Sequence, residues 1–299
     1  MLLALALLFL WSAFAFGESS EAPDLTYRST VAEVRLTFFV TDEHNHTVRT
    51  LQPGDFAVVD DGLVIRDFRS FTRSDVTSPD VIVLVDSSES VGSRRRDEIA
   101  QVLQLISQSQ WIVEDKISIW SFGGLGPSVL CAGNCRSSLP AERFLAAPAG
   151  GLTPLFDAIV FAARLLSQRR DPRDRPVLIL FSDGQDTISR NSFSQAIEAA
   201  LGSDAQIYAV DLNDPQQFSE GTRTLQELAD ATGGRYLRGQ DDAGKVLDAV
   251  LEDLHATYVA TYKPPNHGEG LHSVRILPTH NLNLKFYCRR SYYYQGSTR

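Results

Sequence analysis

Cysteine is scarce in this chain: Cys131, Cys135 and Cys288 are the only three in 299 residues. No other Cys or His lies near the CAGNC pair, so that pair lacks the partners a zinc site requires. What remains open to it is a small disulfide in an oxidising compartment. Cys288 falls on the apolar side of an alternating run and is expected to be a buried thiol. Excess positive charge is also missing. The formal net charge is −9 and is spread along the chain, which argues against nucleic acid as a main partner. The arginine groups at Arg94, Arg95, Arg96 and from Arg169 to Arg175 are broken or flanked by acids, and both are expected to be solvated surface. There is no internal repeat, low-complexity tract, G-x-S-x-G elbow, H-E-x-x-H helix or Walker-type loop.

After residue 17 no hydrophobic run approaches membrane-spanning length. The segment MLLALALLFLWSAFAFG is apolar and uncharged, with small residues Ala15 and Gly17 ahead of polar Glu18. Residues 1–17 are therefore expected to be a signal peptide, although the n-region has no Lys or Arg. The protein is expected to be exported to a periplasmic, cell-envelope or secreted location. It meets a membrane only if this segment is retained as an anchor.

Pattern divides the rest of the chain into three parts. Around VRLTFFV, Val34, Leu36, Phe38 and Val40 recur with period two, as in a half-buried strand. FAVVDDGLVIRDF then reads as a hairpin turning at Asp61-Gly62. From Asp80 the rhythm becomes strand and helix in alternation. VIVLV (81–85) and VLILF (177–181) are continuous apolar runs, as expected for strands covered on both faces. Further strands are expected at 116–122, 206–212 and 235–237, and helices around 141–146, 154–167, 192–201, 222–231 and 242–256. Such alternation specifies an α/β fold, Rossmann-like and doubly wound, around a mostly parallel sheet. Beyond it TYVATY, LHSVRIL and LNLKFYC are strand-like again. Each flank is too short for a good core alone. Segments 25–75 and 258–296 are therefore expected to pair into a small β-sandwich-like domain, with an α/β domain (78–257) inserted in it. Two separate β appendages are the alternative.

The candidate site lies where open α/β sheets gather ligands, at the carboxyl ends of strands. Asp86 ends VIVLV and is followed by Ser88 and Ser90. Asp183 ends VLILF, and Thr153 sits in a Gly-rich loop before a helix that Pro154 can start. Two carboxylates and three hydroxyls make an all-oxygen donor set suited to a hard cation, Mg²⁺ first and Mn²⁺ or Ca²⁺ as alternatives. Asp157 and Asp186 are expected to cap helices or hold other groups by hydrogen bonds, and Asp211 to serve its loop. His44 and His46 are expected in an exposed turn.

In order and in element, Asp86-Ser-Ser88-Glu-Ser90, Thr153 and Asp183-Gly184 resemble the metal-ion-dependent adhesion site of von Willebrand factor type A domains over about residues 78–257. The flanks, with VRLTFFVTDEHNHTVRTLQPGDFAVVDDG before and YVATYKPP, LHSVRIL and CRRSYYY after, resemble the acidobacterial-type VWFA-related secreted proteins. The resemblance implies that Ser88 and Ser90 bind the metal directly, and Thr153 directly or through water. It implies that Asp86 and Asp183 act mainly through water, and that the last helix, 242–256, can move on ligand binding. Glu89 departs from the pattern, since small residues are common there. The implied function is a non-enzymatic, metal-dependent adhesion module that binds an acidic group of a protein partner. A structural envelope protein is the alternative, and a metal-dependent hydrolase the third reading.

Overall fold

The computed structural model describes residues 33–73, 79–108 and 116–294, without positions 125, 134, 149, 170, 172–173, 215, 217, 240–242 and 267. The expected signal segment, 1–17, and residues 25–32 of the first flank lie outside the described residues. In chain order the first flank supplies β1 (Val34–Thr41), β2 (Phe56–Asp60), β3 (Leu63–Ile65) and β4 (Ser70–Arg73). The middle runs β5 (Pro79–Asp86), α1 (Gly92–Gln108), β6 (Lys116–Phe122), β7 (Ser128–Ala132), α2 (Leu139–Ala146), α3 (Leu155–Gln168), β8 (Arg175–Ser182), α4 (Phe193–Gly202), β9 (Gln206–Asp211), α5 (Glu220–Thr232), β10 (Tyr236–Arg238) and α6 (Ala243–His255). The last flank gives β11 (Tyr258–Tyr262), β12 (Gly270–Pro278), β13 (Lys285–Cys288) and β14 (Ser291–Tyr294).

The middle strands form one six-stranded sheet in the order β10-β9-β8-β5-β6-β7, parallel throughout except for the antiparallel edge strand β7. Both faces of its central strands are buried, and this is why VIVLV and VLILF carry no polar residue. Val81, Val83 and Val85 join Ile99 and Leu103 of α1 and Val250 of α6 in one core. Ile82 and Leu84 face the other way, into Ile159 of α3, Ala196 of α4 and Leu225 of α5. Strand order reverses between β5 and β8, the two neighbours that carry Asp86 and Asp183 at their carboxyl ends.

The flanks do not stand apart as two appendages. They form two four-stranded antiparallel sheets, β13-β1-β11-β4 and β14-β12-β2-β3, and each sheet draws strands from both ends of the chain. Leu36 and Phe38 of β1, Phe56 and Val58 of β2, Tyr262 of β11 and Ile276 of β12 share one core between the sheets. The turn after β2 is built at Asp61 and Gly62, both at positive φ (46° and 82°), as a two-residue hairpin of this hand requires. Phe39 breaks the period-two alternation of β1 for a tertiary reason. It turns to the α/β side, where its ring stacks on Tyr208 and Tyr287, with centroids 6.0 and 4.5 Å away.

Other expectations need correction. Arg96 and Arg175 are buried rather than solvated. Arg96 donates to the carbonyls of Phe144 and Ala147 (both 2.7 Å), and Arg175 donates to that of Leu254. Cys131 lies on β7 and forms a disulfide with Cys135 across a Cα separation of 5.7 Å. Cys288 is half-buried, and burial pushes its thiol up to about 12. No helix among the described residues is long and apolar enough to cross a membrane.

Candidate metal centre

Asp86 is fully buried at the end of β5, where a charge is tolerated only if it is well bonded. Its Oδ1 accepts the Ser88 N–H at 2.9 Å, and its Oδ2 accepts the Ser182 hydroxyl at 2.9 Å from the neighbouring strand β8. The carboxylate thus pins the turn that follows it to the strand beside it. The chain then enters a single 3₁₀ turn, Glu89–Val91, which sets the Ser88 and Ser90 hydroxyls 3.0 Å apart. Ser88 is buried, whereas Glu89 and Ser90 are exposed at the rim.

Asp183 follows β8 and is buried, and its Oδ1 accepts the Gln185 N–H at 3.0 Å. Its loop lies flat on the first turn of α5 because two glycines meet there. A Cβ on Gly221 would stand 2.1 Å from the Asp183 carbonyl oxygen, and one on Gly184 would stand 2.1 Å from the Gly221 carbonyl oxygen. Asn213 holds the same loop from the side, donating from Nδ2 to the Asp183 carbonyl at 2.7 Å.

Thr153 comes from a third loop, which backbone bonds stitch to the first and to the loop after β6. The Gly150 N–H donates to the Ser87 carbonyl (3.3 Å), and the Gly124 N–H donates to that of Leu152 (2.8 Å). Thr187, four residues past Asp183, closes the ring. Its N–H donates to the Thr153 carbonyl at 2.9 Å, and its hydroxyl accepts the Thr153 N–H at 2.6 Å. All five expected residues, Asp86, Ser88, Ser90, Thr153 and Asp183, therefore sit on three loops bound together at the switch point.

The electrostatics are those of a carboxylate buried at the end of a strand. Burial pushes Asp86 up to about 6, and the Asp183 charge adds to the rise against the hydrogen bonds from Ser88 and Ser182. A cation between these loops relieves that strain, and the donors on offer are all oxygen. The residues present thus fit a hard divalent ion. Both oxygens of Asp86 are already held by protein donors, so its geometry suits orienting Ser88 rather than bonding an ion itself.

The neighbouring acids serve the loops. Asp186 accepts the Phe156 N–H at the start of α3 (3.2 Å), and Asp157 accepts the Arg190 and Asn191 N–H groups. Asp211 is tied to Asn213, Thr222 and Tyr236, which makes it a brace for the loop before α5. His44 and His46 are exposed in the Asp42–His46 turn. Sequence reasoning passed over Ser182, Thr187 and Asn213, which hold the site from behind. Only Ser182 left a signal, as a hydroxyl ending an otherwise apolar strand.

Residues 81–185 match the family model of the von Willebrand factor type A domain. Among solved structures, proximal thread matrix protein 1 from the mussel byssus is 14% identical at a TM-score of 0.47, over 62% of this chain and 48% of that one. The same mussel protein with a zinc-occupied MIDAS motif is 13% identical at a TM-score of 0.45, over 61% of this chain and 48% of that one. An aerotolerance-related membrane protein from Bacteroides fragilis NCTC 9343 is 18% identical at a TM-score of 0.44, over 59% of this chain and 98% of that one. This chain thus spans about half the length of the mussel protein. No curated protein matches the sequence.

Proposed function

We propose that this von Willebrand factor type A domain is the working part of an exported, non-enzymatic module that binds a protein partner through a divalent cation. The observation that carries the reading is the meeting of Asp86, Ser88, Ser90, Thr153 and Asp183 at the reversal of strand order. In this reading Ser88, Ser90 and Thr153 hold the ion, and Asp86 and Asp183 steady the shell around it. The bound ion supplies an electrophilic position for a carboxylate of the partner. Mg²⁺ is the first candidate, because hydroxyls and carboxylates suit a hard ion, with Mn²⁺ and Ca²⁺ chemically close. Exposed Glu89 at the rim disfavours ligands that carry further negative charge beside that carboxylate. Export is supported by the apolar segment 1–17 and by the Cys131–Cys135 disulfide, which persists in oxidising compartments.

Titration calorimetry with Mg²⁺ and Mn²⁺ on the wild type and Ser88→Ala tests the site. Loss of binding in the variant is expected, and equal affinity overturns the reading. A pull-down from envelope and extracellular fractions, with Mg²⁺ against EDTA, tests the partner. Metal-dependent capture that Ser88→Ala abolishes is expected. Metal-dependent stabilisation with no metal-dependent partner points instead to a structural envelope role.

A further inference from the structure

A second cluster of metal-type donors lies in the β sandwich, away from the switch-point loops. Asp60 ends β2, Asp61 opens the turn after it, and His272 lies on the adjacent strand β12. Along β12 the inward positions are His272, Val274 and Ile276, so the imidazole occupies a place in the core-facing row. One oxygen or nitrogen of each of the three residues lies within 4.8 Å of those of the other two.

The decisive residue is Asp60. It is fully buried, and its Oδ2 accepts the hydroxyls of Tyr262 and Tyr292, each at 2.8 Å. Its Oδ1 is buried with no hydrogen-bond partner. An unpaired carboxylate oxygen in a core is costly, and both phenols are spent on the other oxygen. The ion pair between His272 Nδ1 and Asp61 Oδ2, at 2.7 Å, leaves that oxygen unanswered.

The surroundings are arranged as for a ligated imidazole. His272 Nε2 lies 2.7 Å from the Gly268 carbonyl oxygen, a contact that keeps the proton on Nε2 and turns Nδ1 toward the carboxylates. Asp61 Oδ1 accepts the Ser273 N–H at 2.9 Å, which leaves Oδ2 to the cluster. The two tyrosines fix the plane of Asp60, and the Tyr292 ring stacks on the imidazole with centroids 5.3 Å apart. Asp61 is partly exposed and gives the cluster an opening to solvent.

We propose that Asp60, Asp61 and His272 form a second cation site that takes a Zn²⁺-class ion through one imidazole nitrogen and two carboxylate oxygens. The nitrogen ligand selects a borderline transition metal over Mg²⁺, which separates this site from the all-oxygen one. On loading, the Nδ1 proton leaves to solvent and its place is taken by the ion. The Nδ1–Oδ2 separation then opens to about 3.3 Å, as two ligands about 2.0–2.1 Å from one tetrahedral ion require. The site works as a staple. Asp60 and His272 hold β2 to β12, and Tyr262 carries the link to β11 in the opposite sheet.

The test is Zn²⁺ binding to the full chain in excess Mg²⁺, measured by competition with a chromogenic chelator. One Zn²⁺ that survives excess Mg²⁺ is expected for the wild type and for Ser88→Ala. Affinity more than about tenfold weaker is expected for His272→Gln and Asp61→Asn. A His44→Ala/His46→Ala double variant, which removes the exposed histidine pair, is expected to bind as wild type does. No Mg²⁺-resistant Zn²⁺ in the wild type, or equal affinity in His272→Gln and Asp61→Asn, overturns the proposal. If those variants fail to fold, ¹H–¹⁵N spectra of histidine-labelled wild type decide. A Zn²⁺-induced shift at His272 Nδ1 supports the site, and shifts confined to other histidines sink it. Ser88→Ala keeps the two sites apart, since failure of the switch-point reading appears as unchanged Mg²⁺ affinity in that variant.

Discussion

The contact between Gly184 and Gly221 gives a sharp prediction, because two known effects of Gly221→Ala oppose each other there. Gly221 lies in the first turn of α5, and in an open helix replacing Gly by Ala gains up to about 1 kcal/mol of propensity. Here the new Cβ would stand 2.1 Å from the Asp183 carbonyl oxygen, where ordinary contact begins at 3.4 Å. One backbone must retreat from the other by more than an ångström. Overpacking costs about 1–3 kcal/mol, and a clash between two backbones belongs at the upper end. The net expectation is a loss of about 2 kcal/mol, or a fall in Tm of about 3 °C for a chain of this size. The loop that moves carries Asp183, so Mn²⁺ affinity should weaken by about tenfold or more. Gly202→Ala is the control. It adds the same methyl group at the end of α4 with nothing within 4 Å, and should change stability by less than about 1 kcal/mol. Thermal unfolding and Mn²⁺ calorimetry on both variants supply the answer. Wild-type Tm and Mn²⁺ affinity in Gly221→Ala, or equal damage in Gly202→Ala, would mean that the two backbones are not in limiting contact.

Asp253 of α6 should leave a mark on the pH dependence of stability. Burial pushes it up to about 6 despite the ion pair with Arg235 at 3.2 Å and the Thr47 hydroxyl at 3.1 Å. A carboxyl with a raised folded pKa binds its proton more tightly in the native state. Stability is therefore lost as pH rises from about 4 through 6, by up to about 3 kcal/mol. Asp253→Asn should flatten that part of the profile in urea unfolding at pH 4–7, and profiles that stay parallel count against the assignment. The Cys131–Cys135 disulfide closes a very short loop, so Cys131→Ser/Cys135→Ser should cost about 2 kcal/mol on the chain-entropy account. Because β7 is the far edge strand, Mg²⁺ calorimetry on that variant should give wild-type affinity, and a large loss would show that the edge supports the metal loops.

Much of the fold was legible because the middle of the chain is locally consistent. Strands covered on both faces have no polar side to show, so VIVLV and VLILF announce a parallel sheet from composition alone. The candidate site was legible for a related reason. Asp86-x-Ser88-x-Ser90, Thr153 and Asp183 each fall at a point where a predicted strand ends or a predicted helix begins, and doubly wound sheets bring such points together. Three of the edge strands were not legible. β7 and β14 are short, and β4 is largely exposed, so none has a buried face strong enough to impose a period. The arginine groups misled for the opposite reason. Their charge pattern is that of a surface, but Arg96 and Arg175 each reach a backbone carbonyl in the interior.

The alternation of strands and helices, the hairpin turn at Asp61-Gly62 and the donor types of the switch-point loops are written in the local sequence. Each of these is set by residues close together in the chain, through periodicity, turn conformation or the chemistry of a strand end. Tertiary structure alone decided which flank strands share a sheet, and why Phe39 leaves the alternation of its own strand. It also set Gly221 against Asp183, and His272 beside Asp60 and Asp61 across more than two hundred residues of chain. Those contacts join segments whose local patterns do not refer to one another. They are fixed only when burial of the apolar faces brings the segments together, and the polar atoms carried along must then find partners there.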